Sequence, residues 1–295
     1  MAYVSGQYHL TNLLQDAYRK LGQFEPRLVT SGTTTTCVIN GLAAKKSIKD
    51  GTLFCVETTD KLAPEGQYER ITGYSKDTTA GTFVVDAFTV GFTVKDVVAV
   101  VNDLYPIRTM VELANGAMKR LGDIRKVNTT TLDSATNKTE YALEIAAKRG
   151  LYQVDYQGHT GDANDNRWIT IFDVDTVPAD PGTAGLLILP QLISGRDIRY
   201  WYADSHPRLN TYDDYIDEAI IPDLASTALA VVALEWQQAR IKADWVKQDM
   251  NYWRTELDIA KQRWDIKRSQ RKARMITMPR GDDGVYTGEP NKVRL

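Results

Sequence analysis

A chain of 295 residues with 43% hydrophobic content suffices for one large domain or two to three small ones and can fill a sizeable core. A formal net charge of −2 and a pI near 6.0 argue against a protein whose main work is gripping nucleic acid, because such domains carry excess Lys and Arg. The start, Met1-Ala2-Tyr3-Val4-Ser5-Gly6, lacks a basic and then apolar leader, and the most apolar window, residues 225–236, is interrupted by Ser226, Thr227 and Glu235. A soluble, non-secreted protein with no membrane partner is expected.

In chain order, a first helix is expected over residues 8–21, with Leu10, Leu13, Leu14, Ala17, Tyr18 and Leu21 on one side and Gly22 as a left-handed stop. The period then changes. Residues 34–39, 52–58, 68–74, 82–87 and 97–101 are rich in β-branched and aromatic side chains and are separated by turn signals such as Asp50-Gly51 and Pro64-Glu65-Gly66, which predicts an antiparallel β module. Cys37 and Cys55, the chain's two cysteines, fall in it and are expected to be free, half-buried strand residues. Tyr105-Pro106 opens a second helix over 107–121 that ends at Gly122, so a unit of helix, glycine stop and β excursion occurs twice. After the polar run 133–137, strands are expected at 141–146, 151–156, 167–173, 185–189 and 196–202, the last containing the alternating Arg199-Tyr200-Trp201-Tyr202.

From Asp213 onward a helix pair is expected. Ile216, Ile220, Leu224, Ala228, Val232 and Trp236 recur every fourth position, a broad buried face; Pro222 marks either the true first turn or a kink. The second helix carries the narrow seam Val246, Met250, Trp253, Leu257, Ala260 and Trp264, suited to a bundle or to a neighbouring subunit. Acidic residues Asp213, Asp214, Asp217 and Glu218 precede the pair, and basic Lys267, Arg268, Arg271, Lys272 and Arg274 follow it; such segregation suits complementary contacts between subunits. Past Met278-Pro279 the chain has too few large apolar residues for a core of its own, and Val285-Tyr286-Thr287 is its best strand-adding segment on a partner.

The expected fold class is therefore α+β: a helical bundle carrying two antiparallel β-rich insertions and a flexible C-terminal tail. The divisions are 1–32 and 102–125 for bundle helices, 33–101 and 126–212 for the β regions, 213–264 for the helix pair and 265–295 for the tail.

Chemistry is sparse. No Gly-x-Ser-x-Gly, phosphate-cradling glycine loop, Cys-x-x-Cys or His-Glu-x-x-His occurs, and His9, His159 and His206 lie in three different segments, so no catalytic residue, metal or cofactor is assigned. Asp162, Asn164 and Asn166 match calcium-loop ligand positions, but Arg167 stands where a sharp-turning glycine is needed, which favours a polar hairpin loop. Glu65 and Glu69 could form an acid/base pair, though nothing in the sequence fixes their geometry.

Three stretches resemble the head-to-tail adaptor (neck, or connector) proteins of tailed bacteriophages. They are Leu10 to Gly22 with the β module containing Asp50-Gly51-Thr52-Leu53-Phe54 and Ala63-Pro64-Glu65-Gly66-Gln67-Tyr68-Glu69-Arg70; Glu112 to Gly122; and Arg199 to Pro207 before an acidic start to a long Ala-rich helix. The resemblance implies a non-enzymatic subunit of a twelve-fold ring that docks under the portal protein, meets a tail or tail-completion protein and touches genome DNA transiently in its channel. The virion neck would be its place, after synthesis in the cytoplasm of the bacterial host, with residues 213–264 as ring wall and 265–295 as portal grip. A different reading, a glycan- or protein-binding module, would use the aromatics Tyr152, Tyr156, Trp168 and Trp201.

Overall fold

The computed structural model describes residues 7–40, 48, 50–76, 80–130, 140–143, 151–157, 168–172, 174–177, 185–190 and 197–263. Trp264, the basic run and Val285-Tyr286-Thr287 lie outside the described residues, as do His159 and the segment 162–166. The described residues form two compact units, one made of residues 7–124 and 205–263, the other of those within Arg125–Asp204.

The first unit opens with α1 (Leu10–Lys20) and continues into six strands: β1 (Glu25–Gly32), β2 (Thr36–Asn40), β3 (Thr52–Glu57), β4 (Tyr68–Lys76), β5 (Ala80–Val85) and β6 (Val97–Val101). They close into an antiparallel barrel in the order β1-β2-β5-β4-β3-β6, sealed where Glu25 to Leu28 of β1 pair with Val100 to Val97 of β6. Val29, Cys37, Ile39, Leu53, Cys55, Ile71, Phe83, Val85 and Val98 fill its interior, and Phe88 and Phe92 join them edge to face. Three helices complete the unit: α2 (Ile107–Leu121), α3 (Pro222–Ile241) and α4 (Asp244–Arg263).

Strands β3 and β6 are buried on both faces, which is why they read as near-continuous apolar runs instead of alternating. Leu53, Cys55 and Val98 point into the barrel, whereas Phe54, Ala99 and Val101 pack in the same core as α1, α2 and α3. Thr11 Oγ1 donates to the Gly66 carbonyl oxygen at 2.6 Å, tying α1 to the turn between β3 and β4. Tyr18 Oη donates to the Tyr105 carbonyl oxygen at 2.7 Å, and Tyr105 Oη in turn donates to Gln237 of α3. These three buried hydroxyls thus find partners where the elements meet.

Helix α3 is the middle of the helical layer. Twelve of its residues are buried, and it packs against α1, α2 and α4. Pro222 is its first turn, where a missing N–H costs nothing. Lys242, left-handed at φ 52°, ends it, and the short link to Asp244 makes α4 its neighbour. Asp213 and Asp214 do not open the helix as the sequence pattern suggested. The segment before Pro222 is instead held by α1's entry: Leu10 N donates to the Asp214 carbonyl oxygen and Ile216 N to that of Tyr8, each at 2.7 Å, with Ile216 and Ile220 still buried in the helical core.

The second unit is all β. Its strands are β7 (Ile124–Thr130), β8 (Glu140–Leu143), β9 (Leu151–Gln157), β10 (Trp168–Ile171), β11 (Asp175–Val177), β12 (Gly185–Ile188) and β13 (Ile198–Asp204). They form a four-stranded sheet, β10-β9-β13-β7, and a three-stranded one, β11-β12-β8. Val154, Ile198, Tyr200 and Tyr202 of the larger sheet share one core with Tyr141, Leu143 and Leu187 of the smaller.

The expected fold class is corrected by this arrangement. With four helices against thirteen strands among the described residues, and a closed barrel among them, the protein is β-rich and not a helical bundle with insertions. Two facts hide this from a pattern reading. The helices do not form a self-sufficient bundle, since the barrel wall supplies part of their core through Phe54, Ala99 and Val101. Strands β1, β7 and β11 also lack a sequence pattern of their own: β1 starts Glu-Pro-Arg and gains its identity only by closing the barrel. The two helix-then-β excursions likewise end in unlike folds, a barrel after α1 and a two-sheet unit after α2.

Candidate interaction surfaces

The predicted seam on α4 faces α3 of the same chain. Val246 and Ala260 are buried, Met250, Trp253 and Leu257 are half-buried, and Ala260 and Leu257 pack on the helical core. Of its two proposed uses the seam serves the first, packing within the chain. Beside it, on the flank, stand Trp245 and Tyr252, one heptad apart and 49% and 58% exposed. Half of Trp245 meets solvent.

A groove of about 280 Å³ lies on the other side of this helix pair, with Leu121, Ala228 and Val232 in its lining and Arg120, Glu235, Arg254 and Lys261 beside them. Glu235 of α3 holds it together, accepting from Arg120 of α2 and, at 2.8 Å, from Arg254 of α4. Burial alone would raise this carboxyl, but the two guanidinium groups outweigh it and hold Glu235 below the usual range.

The acidic segment splits in two. Asp214 accepts from the backbone N–H groups of Asn210 and Thr211, and these bonds overcome burial to lower its pKa; Asp217 accepts from Ala219 N at 2.9 Å. Both carboxylates are thus spent on local turns. Asp213 and Glu218 are exposed and remain candidates for charged contact. His9 and His206 are structural as well: His9 Nδ1 bonds the Asp213 carbonyl oxygen at 2.8 Å, and His206 Nε2 accepts from Asp217 N at 3.0 Å.

The glutamates considered as a pair do not converge. Glu65 accepts from the N–H and hydroxyl of Thr58, closing the turn after β3. Glu69 instead lines a groove of about 400 Å³ together with Arg70, Asp86, Arg108, Glu112 and Arg208, where burial and the neighbouring Asp86 raise its pKa. Acids and arginines balance in that lining, so it presents no net field to a charged ligand. Among the described residues, no group of three or more His, Cys, Asp or Glu side chains is placed to hold a metal ion. Both cysteines are free and fully buried in the barrel.

The most ordered constellation lies on the outer face of the four-stranded sheet in the second unit. Asp155 of β9, 1% exposed, accepts from Gln153 Nε2 (2.7 Å) and Thr170 Oγ1 (2.8 Å) on one oxygen, and from Arg199 Nε and Trp201 Nε1 (both 2.9 Å) on the other. Burial would raise this carboxyl; four donors together lower it. Arg199 lies 4.2 Å over the Trp168 ring and 5.5 Å over that of Trp201, while Arg125 of β7 lies 4.1 Å over Trp201 and 5.4 Å over Tyr152. The result is a ladder of alternating rings and guanidinium groups: Trp168, Arg199, Trp201, Arg125, Tyr152.

A β-bulge completes it. Arg199 pairs with Asp155 and Trp201 with Gln153, but Tyr202 pairs with Leu151, leaving Tyr152 as the extra residue. Leu151 consequently joins the core, and Tyr152 lies with Arg125 on the outer side. Of the four aromatics that the sequence suggested as a platform, Tyr152, Trp168 and Trp201 share this ladder, whereas Tyr156 packs against the core between the sheets. Sequence reasoning missed Arg125 and Asp155. An acid between Val154 and Tyr156 in a strand was the available signal for the latter.

No family model and no curated protein matches the chain. No described helix is long and apolar enough to cross a membrane.

Proposed function

We propose that this protein is a structural subunit of a bacteriophage head-to-tail adaptor, a ring of twelve copies that docks beneath the portal protein, meets a tail or tail-completion protein and surrounds the DNA channel. The observation that supports the reading is the pair Trp245 and Tyr252 on the flank of α4. Neither ring belongs to the helical core, and both stand in line on one half-exposed side of α4, with Tyr252 edge to face on Trp253. Large aromatics in a row on a packed helix suit a protein contact.

A ring further needs two different patches on each copy, because a head-to-tail contact joins unlike surfaces. The α4 flank supplies one candidate. Asp213 and Glu218, exposed in the segment before α3, supply charge for another, with the basic run Lys267, Arg268, Arg271, Lys272 and Arg274 as its complement and Val285-Tyr286-Thr287 as the portal-docking strand. Near-zero net charge suits a channel past which DNA slides with only transient, non-specific contact. The site of action is the virion neck.

The test is direct. Negative-stain images and light scattering of the purified protein, alone and with portal, should show closed rings. A monodisperse monomer at every concentration that also fails to assemble on portal overturns the proposal.

A further inference from the structure

We propose that the outer face of the β10-β9-β13-β7 sheet is a binding site for an extended acidic segment of a partner protein, recognised through the stacked guanidinium groups of Arg199 and Arg125. The inference does not rest on ring assembly; a monomer would bind the same ligand.

The face is built rather than merely polar. Placing a carboxylate in 1% exposure on the outside of a sheet costs desolvation, and Asp155 recovers it only because four donors converge there. Two of those donors belong to Arg199 and Trp201, so the same carboxylate that neutralises Arg199 also fixes the orientation of the ladder. A solvated surface arginine needs no such anchor. For Arg199 the rotamer freedom that a ligand would otherwise have to remove is already gone, as in a preorganised site, while the exposed Arg125 is held by the Trp201 and Tyr152 rings.

The ladder's geometry selects the ligand's chemistry. A sugar or a nucleic acid base stacks on an open ring face, but Trp168 and Trp201 each have a guanidinium over them at 4.2 and 4.1 Å. What the stack offers is edges. Arg199 gives only its Nε to Asp155, and Arg125 has rings but no carboxylate beside it among the described residues. Guanidinium edges framed by apolar rings fit carboxylates, which they can hold through two parallel N–H···O bonds.

Spacing and charge narrow the class further. Both guanidinium groups flank Trp201, within about 10 Å of each other, and alternate side chains of an extended peptide fall about 7 Å apart at roughly 3.3 Å per residue, within reach of both arginines. Within the ladder, Arg125 and Arg199 exceed Asp155, the one carboxylate they surround among the described residues, by one charge. Nucleic acid is held by neutralising many phosphates, and a protein of net charge −2 with one surplus cation here lacks that footing. An acidic peptide with apolar residues between its carboxylates matches both the edges and the rings.

The full chain tests this with a fluorescein-labelled acetyl-Glu-Val-Glu-Val-Glu peptide followed by anisotropy. Saturable binding is expected, at least tenfold weaker in Arg125→Gln with circular dichroism and melting temperature unchanged, and absent for the peptide with Gln at each Glu. Arg125→Lys, which keeps the charge without the planar fork, should remain weakened. Binding that survives Arg125→Gln, as the basic run beyond residue 264 alone would give, overturns the proposal. So does full recovery in Arg125→Lys, equal binding of the Gln peptide, equally tight binding of an oligothymidylate of matched charge, or no saturable binding.

Discussion

Phe54 of the barrel meets Tyr18 of α1 edge to face, with ring centres 5.6 Å apart and planes at 67°. The same phenyl ring touches Phe24 and Tyr68 at 5.8 and 5.4 Å, so four aromatic side chains converge where barrel and helices share a core. Because that joint is common to both parts, they should melt together. Phe54→Ala is expected to cost about 3–5 kcal/mol through lost burial and the cavity left behind, and calorimetry should show one transition for the first unit moving down as a whole. A variant in which the helix signal melts unchanged while the barrel loosens would show that the joint does not couple them.

Gly51 is fixed by a close approach and not by its dihedral angle. A Cβ there would stand 2.3 Å from the Val101 carbonyl oxygen and 3.1 Å from that of Ile48, both backbone atoms that cannot swing aside. Gly51→Ala should therefore destabilise by roughly 1–3 kcal/mol, despite the entropy that alanine removes from the unfolded chain. Urea denaturation measures it, and a neutral or stabilising result would contradict the packing of β3 on β6.

How much of this was legible beforehand depends on whether an element's identity is local. Residues 97–101 are an apolar run between turns and form β6; 107–121, with Pro before and Gly after, form α2. Glu25-Pro26-Arg27 carries no such mark, because these residues are a strand through their pairing with β6, a partner far away in the chain. Asp213-Asp214 has the composition of a helix start, yet the backbone there is committed to Tyr8 and Leu10, some two hundred residues away. The same holds for the ladder. Arg199 and Trp201 alternate visibly with Tyr200 and Tyr202, whereas the bulge that brings Tyr152 to Arg125 is a property of the pairing between two strands and leaves no trace in either.

Asp96 pins two turns of the barrel and should make stability depend on acid. It is 1% exposed and accepts from the N–H and hydroxyl of both Thr59 and Thr93, at 2.7 to 2.9 Å. Burial opposes its ionisation, but these bonds prevail and lower its pKa in the folded state. The unfolded chain therefore takes up this proton first, so the contribution is complete above the ordinary carboxylate pKa and fades as pH falls through the lowered folded value. Asp96→Ala should cost about 2–4 kcal/mol at pH 7, with the gap to the parent narrowing below about pH 4. A gap independent of pH would mean that the carboxylate's charge is not what the turns recognise.

Inside the same barrel, burial and then the charge of Asp96 push the Cys37 thiol up to about 12, and burial is also the leading cause that raises Cys55. Thiolate is the reactive species, so neither should be modified by a disulfide reagent at neutral pH until the barrel opens. Rapid labelling of the folded protein, without loss of its circular dichroism signal, would contradict the closed interior.

Trp245 and Tyr252 offer the sharpest separation of folding from assembly. Both are about half exposed, and neither belongs to the helical core, so replacing them with glutamate should cost the monomer only about 1–3 kcal/mol, half of what full burial of both rings would contribute. Between copies the same change removes two large rings, each contributing roughly 1.5–3 kcal/mol when fully buried, and places like charges in the contact. Even 2 kcal/mol corresponds to about thirtyfold in association, and a ring multiplies the loss over every interface. The double variant Trp245→Glu, Tyr252→Glu should sediment as a folded monomer with a melting temperature lowered by only a few degrees. Rings that persist at unchanged concentration would place the subunit contact elsewhere than α4, and a collapse in melting temperature would mean that these rings serve the fold after all.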